Sequence, residues 1–268
     1  MQRFLQKTIV ITGGGGVLGG HMAQAFAKEG AHVILIGRTL DSLEERQAMI
    51  QANGGKCSIY AADVLDKPSL IVVREEVLDQ QGAIDVLINA AGGNLPGATV
   101  PPDKTIFDVS LEDFSRVTDI NLMGTVIPSL VFGAAMASSG QGAILNISSM
   151  AVDRAITRVA GYSAAKAAME NFTRWMAVEL ALKFGEGLRV NALAPGFFIG
   201  NQNRALLTNP DGSYTERGQL IIQGTPMRRF GHADELNEAA LFLCGPGARF
   251  ITGIVLPVDG GFSAFSGV

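Results

Sequence analysis

The sequence has few of the residues that disulfide frameworks and metal sites require. Its 268 residues include two cysteines and three histidines. Cys57 and Cys244 are far apart in sequence and fit no disulfide framework. His21, His32 and His232 are scattered without the spacing of zinc ligands. We therefore expect all five to be structural or surface residues, and we expect no metal site.

Charge and long apolar runs are also scarce. Charged residues make up 17% of the chain, the net charge is −4, and the 21 basic residues form no run. This balance gives no general attraction to phosphate backbones or anionic lipid, so nucleic acid and membrane are not expected partners. No stretch reaches the ~18 apolar residues of a spanning helix, and we expect a cytoplasmic protein.

What the sequence does contain is glycine, with 33 residues, and a 47% share of hydrophobic residues. Short β-branched runs alternate with longer amphipathic ones, which is typical of βαβ units and a parallel sheet. Strands are predicted at 8–12, 32–36, 57–62, 84–90, 142–148, 188–194 and 253–258. Helices are predicted from about 17 and 41, and at 67–81, 111–139, 160–184 and 233–244. The pattern predicts one α/β domain over 1–268, a Rossmann-like doubly wound fold with seven parallel strands and helices on both faces.

Two segments lack a strong period, residues 94–110 and 196–231. Loops this long in a compact domain are usually functional lids or disordered inserts. Both follow predicted strands, so both lie at the carboxyl edge of the sheet, where open α/β sheets bind ligands. We therefore predict that they form the substrate site.

A glycine-rich sequence, VITGGGGVLGG, follows the first strand and opens the first helix. Its backbone amides and the positive helix end would face the sheet edge, which suits a pyrophosphate. In dinucleotide folds an acid about 20 residues further on often holds a ribose hydroxyl, whereas an arginine there accommodates a 2′-phosphate. Arg38 follows the second strand here without an acid, which favours NADP over NAD. Arg38 as a solvated charge and Asp41 as a helix N-cap are the alternatives.

Tyr162 and Lys166 lie four positions apart in a predicted helix, so their side chains share one face. This spacing is common, and a solvated surface pair is the alternative interpretation. Reduction of a ketone by hydride needs a proton donor, and a tyrosine can serve when a neighbouring cation lowers its pKa toward neutrality. The pair therefore favours proton-transfer chemistry.

Taken together, these motifs resemble the short-chain dehydrogenase/reductase family over nearly the whole sequence. The matching motifs are TGGGGVLG, ADV (62–64), NAAG (89–92), NLMG, NISS, YSAAK and APG (194–196). The resemblance implies an NAD(P)-dependent oxidoreductase, a homotetramer, with catalytic Asn121, Ser149, Tyr162 and Lys166. Ser149, thirteen positions before Tyr162, would polarise the substrate carbonyl, and Asn121 would hold a water that relays protons to Lys166.

The cofactor contacts are predicted along the same motifs. They are Gly13, Gly15, Gly16, Val17, Leu18, Gly19, Arg38, Asp63, Val64, Asn89, Ala90, Ala91, Gly92, Tyr162, Lys166, Pro195, Gly196 and Phe198. The sequence differs from the family pattern at two of the positions that bear on the cofactor. Val17 stands where the family usually has glycine, and Gly200 stands where it commonly has threonine near the nicotinamide.

Within the family, the sequences GGNLPGATVPPD, APGFFIGNQNRALL and VLPVDGGFSAFSGV look most like those of the family's D-mannonate oxidoreductases, or fructuronate reductases. This resemblance implies a sugar-acid substrate, D-fructuronate or D-mannonate. A gluconate 5-dehydrogenase-like enzyme and a generic carbonyl or 3-oxoacyl reductase are the alternatives. Substrate contacts are predicted at Asn94, Ser149, Arg158, Tyr162, Asn201, Asn203 and Arg204.

Two interpretations from other functional classes are weaker. Ser163 to Lys166 matches the Ser-x-x-Lys motif of penicillin-binding hydrolases, but the Ser-Asp-Asn and Lys-Thr-Gly companions are absent from the sequence. A protein that senses NAD(P) without turnover would keep the glycine-rich loop, yet it would not need the set of Asn, Ser, Tyr and Lys residues.

Overall fold

The computed structural model describes residues 2–200 and 203–267 of the protein. Its strands are β1 (Thr8–Thr12), β2 (His32–Gly37), β3 (Lys56–Ala61), β4 (Val86–Asn89), β5 (Gly142–Ile147), β6 (Leu188–Pro195) and β7 (Val255–Val258). They form one sheet in the order β3-β2-β1-β4-β5-β6-β7, and every neighbouring pair is parallel. This confirms the predicted fold class.

The α-helices in the described residues are α1 (Val17–Lys28), α2 (Leu40–Ala52), α3 (Lys67–Gln81), α4 (Leu111–Thr118), α5 (Gly124–Ser139), α6 (Ala160–Phe184), α7 (Arg204–Leu207), α8 (Glu216–Gly224) and α9 (Asn237–Cys244). A π-helical turn, Asp119–Met123, joins α4 to α5. The predicted helix 111–139 is therefore these three pieces in one continuous run.

The core lies on both faces of the sheet, as the sequence of β1 illustrates. All five of its residues are buried, and successive side chains of a strand point to opposite faces. Ile9 and Ile11 pack with buried residues of α1, α2 and α9. Val10 packs with buried residues of α3, α5 and α6. A strand covered on both faces reads as a continuous apolar run, which is why TIVIT was recognisable.

The segment 196–231 is more regular than its sequence indicated. It contains α7 and α8 and has its own small core, formed by Leu207, Ile221 and Phe230. Prediction missed both helices because they are short, with four and nine residues, and periodicity is weak over so few positions. The last predicted strand is also shorter than expected, since β7 begins at Val255.

The helical run Leu111–Ser139 is long and apolar enough to cross a membrane, with a mean hydropathy of 1.6 over its most apolar window. This differs from the expectation that no stretch reaches that length. Half of the window is buried, and α5 packs against β4 and β5. Core packing thus accounts for its apolar composition.

The scarce cysteines are both buried and free. Burial raises the pKa of both thiols to about 12, so they stay protonated at neutral pH. The ring of His32 lies 2.9 Å from the Ser58 hydroxyl, and His232 caps the 3-10 turn Ala233–Leu236. These contacts agree with the structural roles expected of them.

Candidate active site

The crevice of the sheet lies where β1 and β4 are neighbours, because the strand order reverses there. The segments that follow these two strands touch each other. The amide of Ala91 donates to the Thr12 hydroxyl over 3.3 Å, and a Cβ placed on Gly13 would lie 2.7 Å from the Ala90 carbonyl oxygen. The structure thus brings two of the predicted cofactor motifs together.

The glycine-rich loop has the shape of an anion cradle. Gly13 has a φ of +65°, and a Cβ on Gly19 would lie 2.5 Å from the Gly13 oxygen. Helix α1 begins at Val17 with no side chain capping it at Gly16 and no acidic residue in its first turn. Its first amides and positive end therefore suit a phosphate group, and the loop fits the pyrophosphate of a dinucleotide.

The two differences from the family pattern turn out to be neighbours. Val17 is the first helical residue of α1, and its φ is not positive, so the position needs no glycine. A Cβ on Gly200 would lie 3.9 Å from Cγ2 of Val17. The larger residue at 17 thus faces the smaller one at 200.

Arg38 is exposed just beyond the carboxyl end of β2 and takes part in no ion pair in the part of the protein that the structure describes. It is free to meet a ligand at that edge. Thr39, not Asp41, occupies the N-cap of α2, so the alternative role for Asp41 was wrong. Asp63 follows β3 and accepts the amide of Leu65 over 2.9 Å.

Asn89 is the predicted cofactor residue whose side chain is turned inward. Its amide nitrogen donates to the Ser129 hydroxyl over 2.9 Å and to Oδ1 of Asn146 over 2.8 Å. Asn146 in turn donates to the Thr173 hydroxyl. The side chain of Asn89 therefore ties β4 to β5 and α5, and its predicted cofactor contact stays a prediction.

Ser149, Tyr162 and Lys166 are brought together at the carboxyl end of β5. The Ser149 hydroxyl lies near enough to the Tyr162 phenol to lower its pKa, and Nζ of Lys166 lies 5.7 Å from the centre of the Tyr162 ring. Ser148 instead donates to the buried carboxylate of Glu170 over 2.6 Å. The structure therefore places Ser149, and not Ser148, beside the phenol.

The electrostatics of the pair differ from the expectation. Burial raises the pKa of Tyr162, and the hydrogen bond with Ser149 offsets only part of that shift. Burial also lowers the pKa of Lys166 to about 8, although the charge of Glu170 opposes this. Lys166 was expected to lower the phenol pKa, but its ammonium group donates to the Ile147 carbonyl over 2.7 Å instead.

Asn121 lies in the π-helical turn, fully buried. Its side-chain nitrogen donates to the carbonyls of Gly93 and Val117 over 2.7 and 2.8 Å, and its oxygen accepts the Gly93 amide over 3.1 Å. A Cβ on Gly92 would lie 2.6 Å from that oxygen and 3.4 Å from Nζ of Lys166. Asn121 thus fixes the loop after β4, and its predicted water-holding role stays a prediction.

The predicted substrate residues are less uniform. Asn94 donates to Thr99 over 2.6 Å, and its buried side-chain oxygen has no hydrogen-bond partner within residues 2–200 and 203–267. Asn203 uses both ends of its amide inside the loop, accepting from the Gly200 amide and donating to the Phe198 carbonyl, so the loop leaves it little capacity for substrate.

The arginines and the remaining amides occupy different positions. Arg204 is exposed at the start of α7, while Arg158 is half-buried in the turn before α6. Asn201 and Gln202 lie outside the described residues.

Prediction from sequence missed two charged residues near this site. Glu170 lies four positions after Lys166, the same spacing that drew attention to Tyr162, and this could have revealed it. Arg217 of α8 donates to the hydroxyl and the carbonyl of Thr157. It lies in the segment without a period, where no spacing pointed to it.

Comparison with known proteins settles the family. Residues 16–263 match the family described as enoyl-(acyl carrier protein) reductase, adh_short_C2. The protein belongs to the short-chain dehydrogenase/reductase family. An uncharacterized oxidoreductase of Bacillus subtilis (strain 168) named UxuB is 45% identical over 271 residues, which cover 98% of this chain and 96% of the relative.

Solved structures of the same family match closely. One is a candidate D-mannonate oxidoreductase from Haemophilus influenza with bound NAD, with a TM-score of 0.93, 39% identity, and coverage of 100% of this protein and 98% of that one. Another, from Beutenbergia cavernae, is a candidate NAD(P)-dependent gluconate 5-dehydrogenase with bound NADP at low occupancy. Its TM-score is 0.85, with 34% identity and coverage of 97% and 98%. These similarities confirm the predicted oxidoreductase class.

Proposed function

We propose that this oxidoreductase interconverts D-fructuronate and D-mannonate, using NADPH or NADH to reduce the keto acid. The observation that carries the proposal is the meeting of substrate loop and catalytic helix. Val100 of the segment 94–110 donates to the carbonyl of Arg158 over 3.0 Å, four residues before Tyr162. Among the described residues, the half-buried Arg158 guanidinium has no acidic partner and suits a carboxylate. The side-chain oxygen of Asn94 has no partner there either and suits a hydroxyl group.

Two relatives support an acidic sugar as the substrate. The Haemophilus protein is described as a candidate D-mannonate oxidoreductase and the Beutenbergia protein as a candidate gluconate 5-dehydrogenase. Both compounds are six-carbon sugar acids. Reduction of 5-keto-gluconate is therefore the second candidate activity, favoured by the second of these similarities.

The mechanism follows from the side chains around the ketone. The glycine-rich loop after β1, Arg38 and Lys166 would hold NAD(P)H, which would supply the hydride to the carbonyl carbon. The Tyr162 hydroxyl donates its proton to the carbonyl oxygen as that oxygen gains charge. The Ser149 hydroxyl lies beside the phenol, so it can donate to the same carbonyl oxygen and hold it in place.

The phenolate that remains must be stabilised and reprotonated. Lys166 uses one of its three N–H donors in the hydrogen bond to the Ile147 carbonyl. Two donors then remain for the nicotinamide ribose and for a water. With the cofactor bound, the ammonium group of Lys166 and the positive charge of the oxidised nicotinamide would together favour the phenolate. Asn121 holds the loop after β4, and Gly92 of that loop lies between Asn121 and Lys166. Protons would then return from solvent to Tyr162 through a water held by Asn121 and through Lys166.

The cofactor preference rests on Arg38. An exposed arginine beyond β2, without an acid at the strand end, favours the 2′-phosphate of NADP. The Haemophilus relative holds NAD and the Beutenbergia relative holds NADP, and both cofactors are therefore included in the proposal.

We also propose a cytoplasmic homotetramer, as the family resemblance implies. Helix α6 exposes a row of apolar side chains, Trp175 at 63%, Val178 at 59% and Leu182 at 77%. Apolar side chains grouped in this way suit a subunit contact, and light scattering on the purified protein would give the number of subunits.

Steady-state kinetics with three substrates test the proposed activity. A site built for a carboxylate leaves buried polar groups unpaired when a neutral sugar binds, so discrimination of order 10⁴-fold in kcat/KM is expected. D-fructuronate should be preferred to 5-keto-gluconate, and both should be preferred strongly to D-fructose. Equal kcat/KM for fructuronate and fructose would contradict the proposed sugar-acid specificity and would favour a generic carbonyl reductase.

A further inference from the structure

A second arginine stands beside the turn that precedes the catalytic helix. Arg217 lies in the first turn of α8, and its guanidinium donates to the Thr157 hydroxyl over 3.1 Å and to the Thr157 carbonyl over 3.3 Å. Thr157 is the direct neighbour of Arg158. Helix α8 is thus attached by a cationic side chain to the turn that leads into Tyr162.

The turn itself has an unusual backbone. Arg158 has a φ of +79°, a left-handed conformation that is uncommon for residues other than glycine. The amide of Val100 holds its carbonyl in place. Residues kept in such conformations by their surroundings cluster at ligand-binding sites, so the strained position fits a functional role for its side chain.

The positive charges of Arg158 and Arg217 affect each other, since Arg217 contacts Thr157, the direct neighbour of Arg158. The pKa of Arg217 is lowered by burial first and then by the positive charge of Arg158. Within residues 2–200 and 203–267, neither arginine takes part in an ion pair. Two like charges held together in a partly buried place repel each other, and an anion between them removes that repulsion.

We propose that Arg158 and Arg217 together bind the carboxylate of the substrate, so that α8 sets the preference for acids over neutral sugars. This inference rests on the proposed function, because it assumes a keto sugar acid. The planar forks of two guanidinium groups match both oxygens of a carboxylate. Arg158 lies four residues before Tyr162, so their Cα atoms are at most about 14 Å apart, a separation that a six-carbon acid and an arginine side chain can span.

The test compares acid and neutral substrates in single variants. Arg217→Gln should raise KM for D-fructuronate by about 10- to 100-fold with little change in kcat, since a charge-assisted hydrogen bond is lost. Slow reduction of D-fructose should be unchanged. Arg158→Gln should act in the same direction, and the double variant should approach the kcat/KM of fructose.

Arg228→Gln is the matched control. Arg228 lies just beyond α8 and bonds the Gln223 carbonyl of that helix, so its loss should leave the ratio of fructuronate to fructose unchanged. If the role of Arg217 were only to attach α8 to the turn, Arg217→Gln would lower kcat/KM for fructuronate and for fructose by the same factor. That result would overturn the proposal.

Two further outcomes are distinguishable. A wild-type enzyme that prefers fructuronate, with the same preference in Arg217→Gln, contradicts this inference while the proposed function stands. A wild-type enzyme without that preference contradicts the proposed function itself. Fructose 6-phosphate provides the last arm, because a higher kcat/KM for it than for fructuronate would assign the anion site to phosphate.

Discussion

The buried ammonium group of Lys166 makes stability depend on pH in a predictable way. Lys166 is 4% exposed, and burial lowers its pKa from 10.5 to about 8. Between these values the unfolded protein binds more protons than the folded one, so the free energy of unfolding rises with pH across this window. At about 1.4 kcal/mol per pKa unit, the gain from this group is of order 3 kcal/mol.

The substitution Lys166→Met removes the group and its pH dependence. Loss of the hydrogen bond to the Ile147 carbonyl costs roughly 1–3 kcal/mol at every pH, so a single measurement at neutral pH mixes two effects. The dependence of the free energy of unfolding on pH separates the loss of the hydrogen bond from the loss of the titrating group. Between about pH 7 and about pH 10.5, the wild type should gain of order 3 kcal/mol relative to the variant.

Urea unfolding at a series of pH values measures this difference, with the protein concentration held constant because the stability of any oligomer depends on concentration. Lys183→Met is the control, since Lys183 is exposed in the last turn of the same helix. It should not change the slope. If the free-energy difference between wild type and Lys166→Met is the same throughout this pH range, the reasoning about burial is refuted.

Two predictions concern catalysis and cofactor choice. Tyr162→Phe should lower kcat by several orders of magnitude while NAD(P)H binding, followed by fluorescence titration, is retained, and near-normal turnover would contradict the proton-donor role. Arg38→Ala should weaken NADPH binding roughly 10- to 100-fold, the equivalent of about 1.5–3 kcal/mol for a charge-assisted contact, and leave NADH binding unchanged. A wild type that binds NADH as tightly as NADPH would show that Arg38 is a surface charge.

The parts of the fold that could be predicted are those with long or repeated patterns. The helix predicted at 160–184 is α6, Ala160–Phe184, because an amphipathic run of that length fixes both its period and its ends. The strands were recognisable because buried parallel strands are continuous apolar runs. Tyr162 and Lys166 lie on one face of α6 as predicted, because residues four positions apart in a helix share a face.

The parts that could not be predicted depend on contacts between distant segments. Helix α8 is stabilised by the Thr215 side chain that caps its first turn and by packing of Ile221 on Phe230. These contacts produce no hydrophobic periodicity in the sequence. Arg217 acquires its place only through Thr157, far away in sequence. The pKa of Lys166 likewise depends on burial that sequence spacing does not reveal.

The π-helical turn Asp119–Met123 has a consequence for the length of this segment. A π-turn closes with i→i+5 bonds, so it holds one residue more than a regular helical turn. Removing one residue would restore an unbroken α-helix and leave the helices on either side in nearly the same rotational register, because the wider turn absorbs the extra residue. Helix α4 could therefore keep its contacts with α6, whereas Asn121 would lose the position from which it holds Gly93. A single-residue deletion within the turn should therefore yield a protein that folds but turns over poorly, which circular dichroism and steady-state kinetics would show.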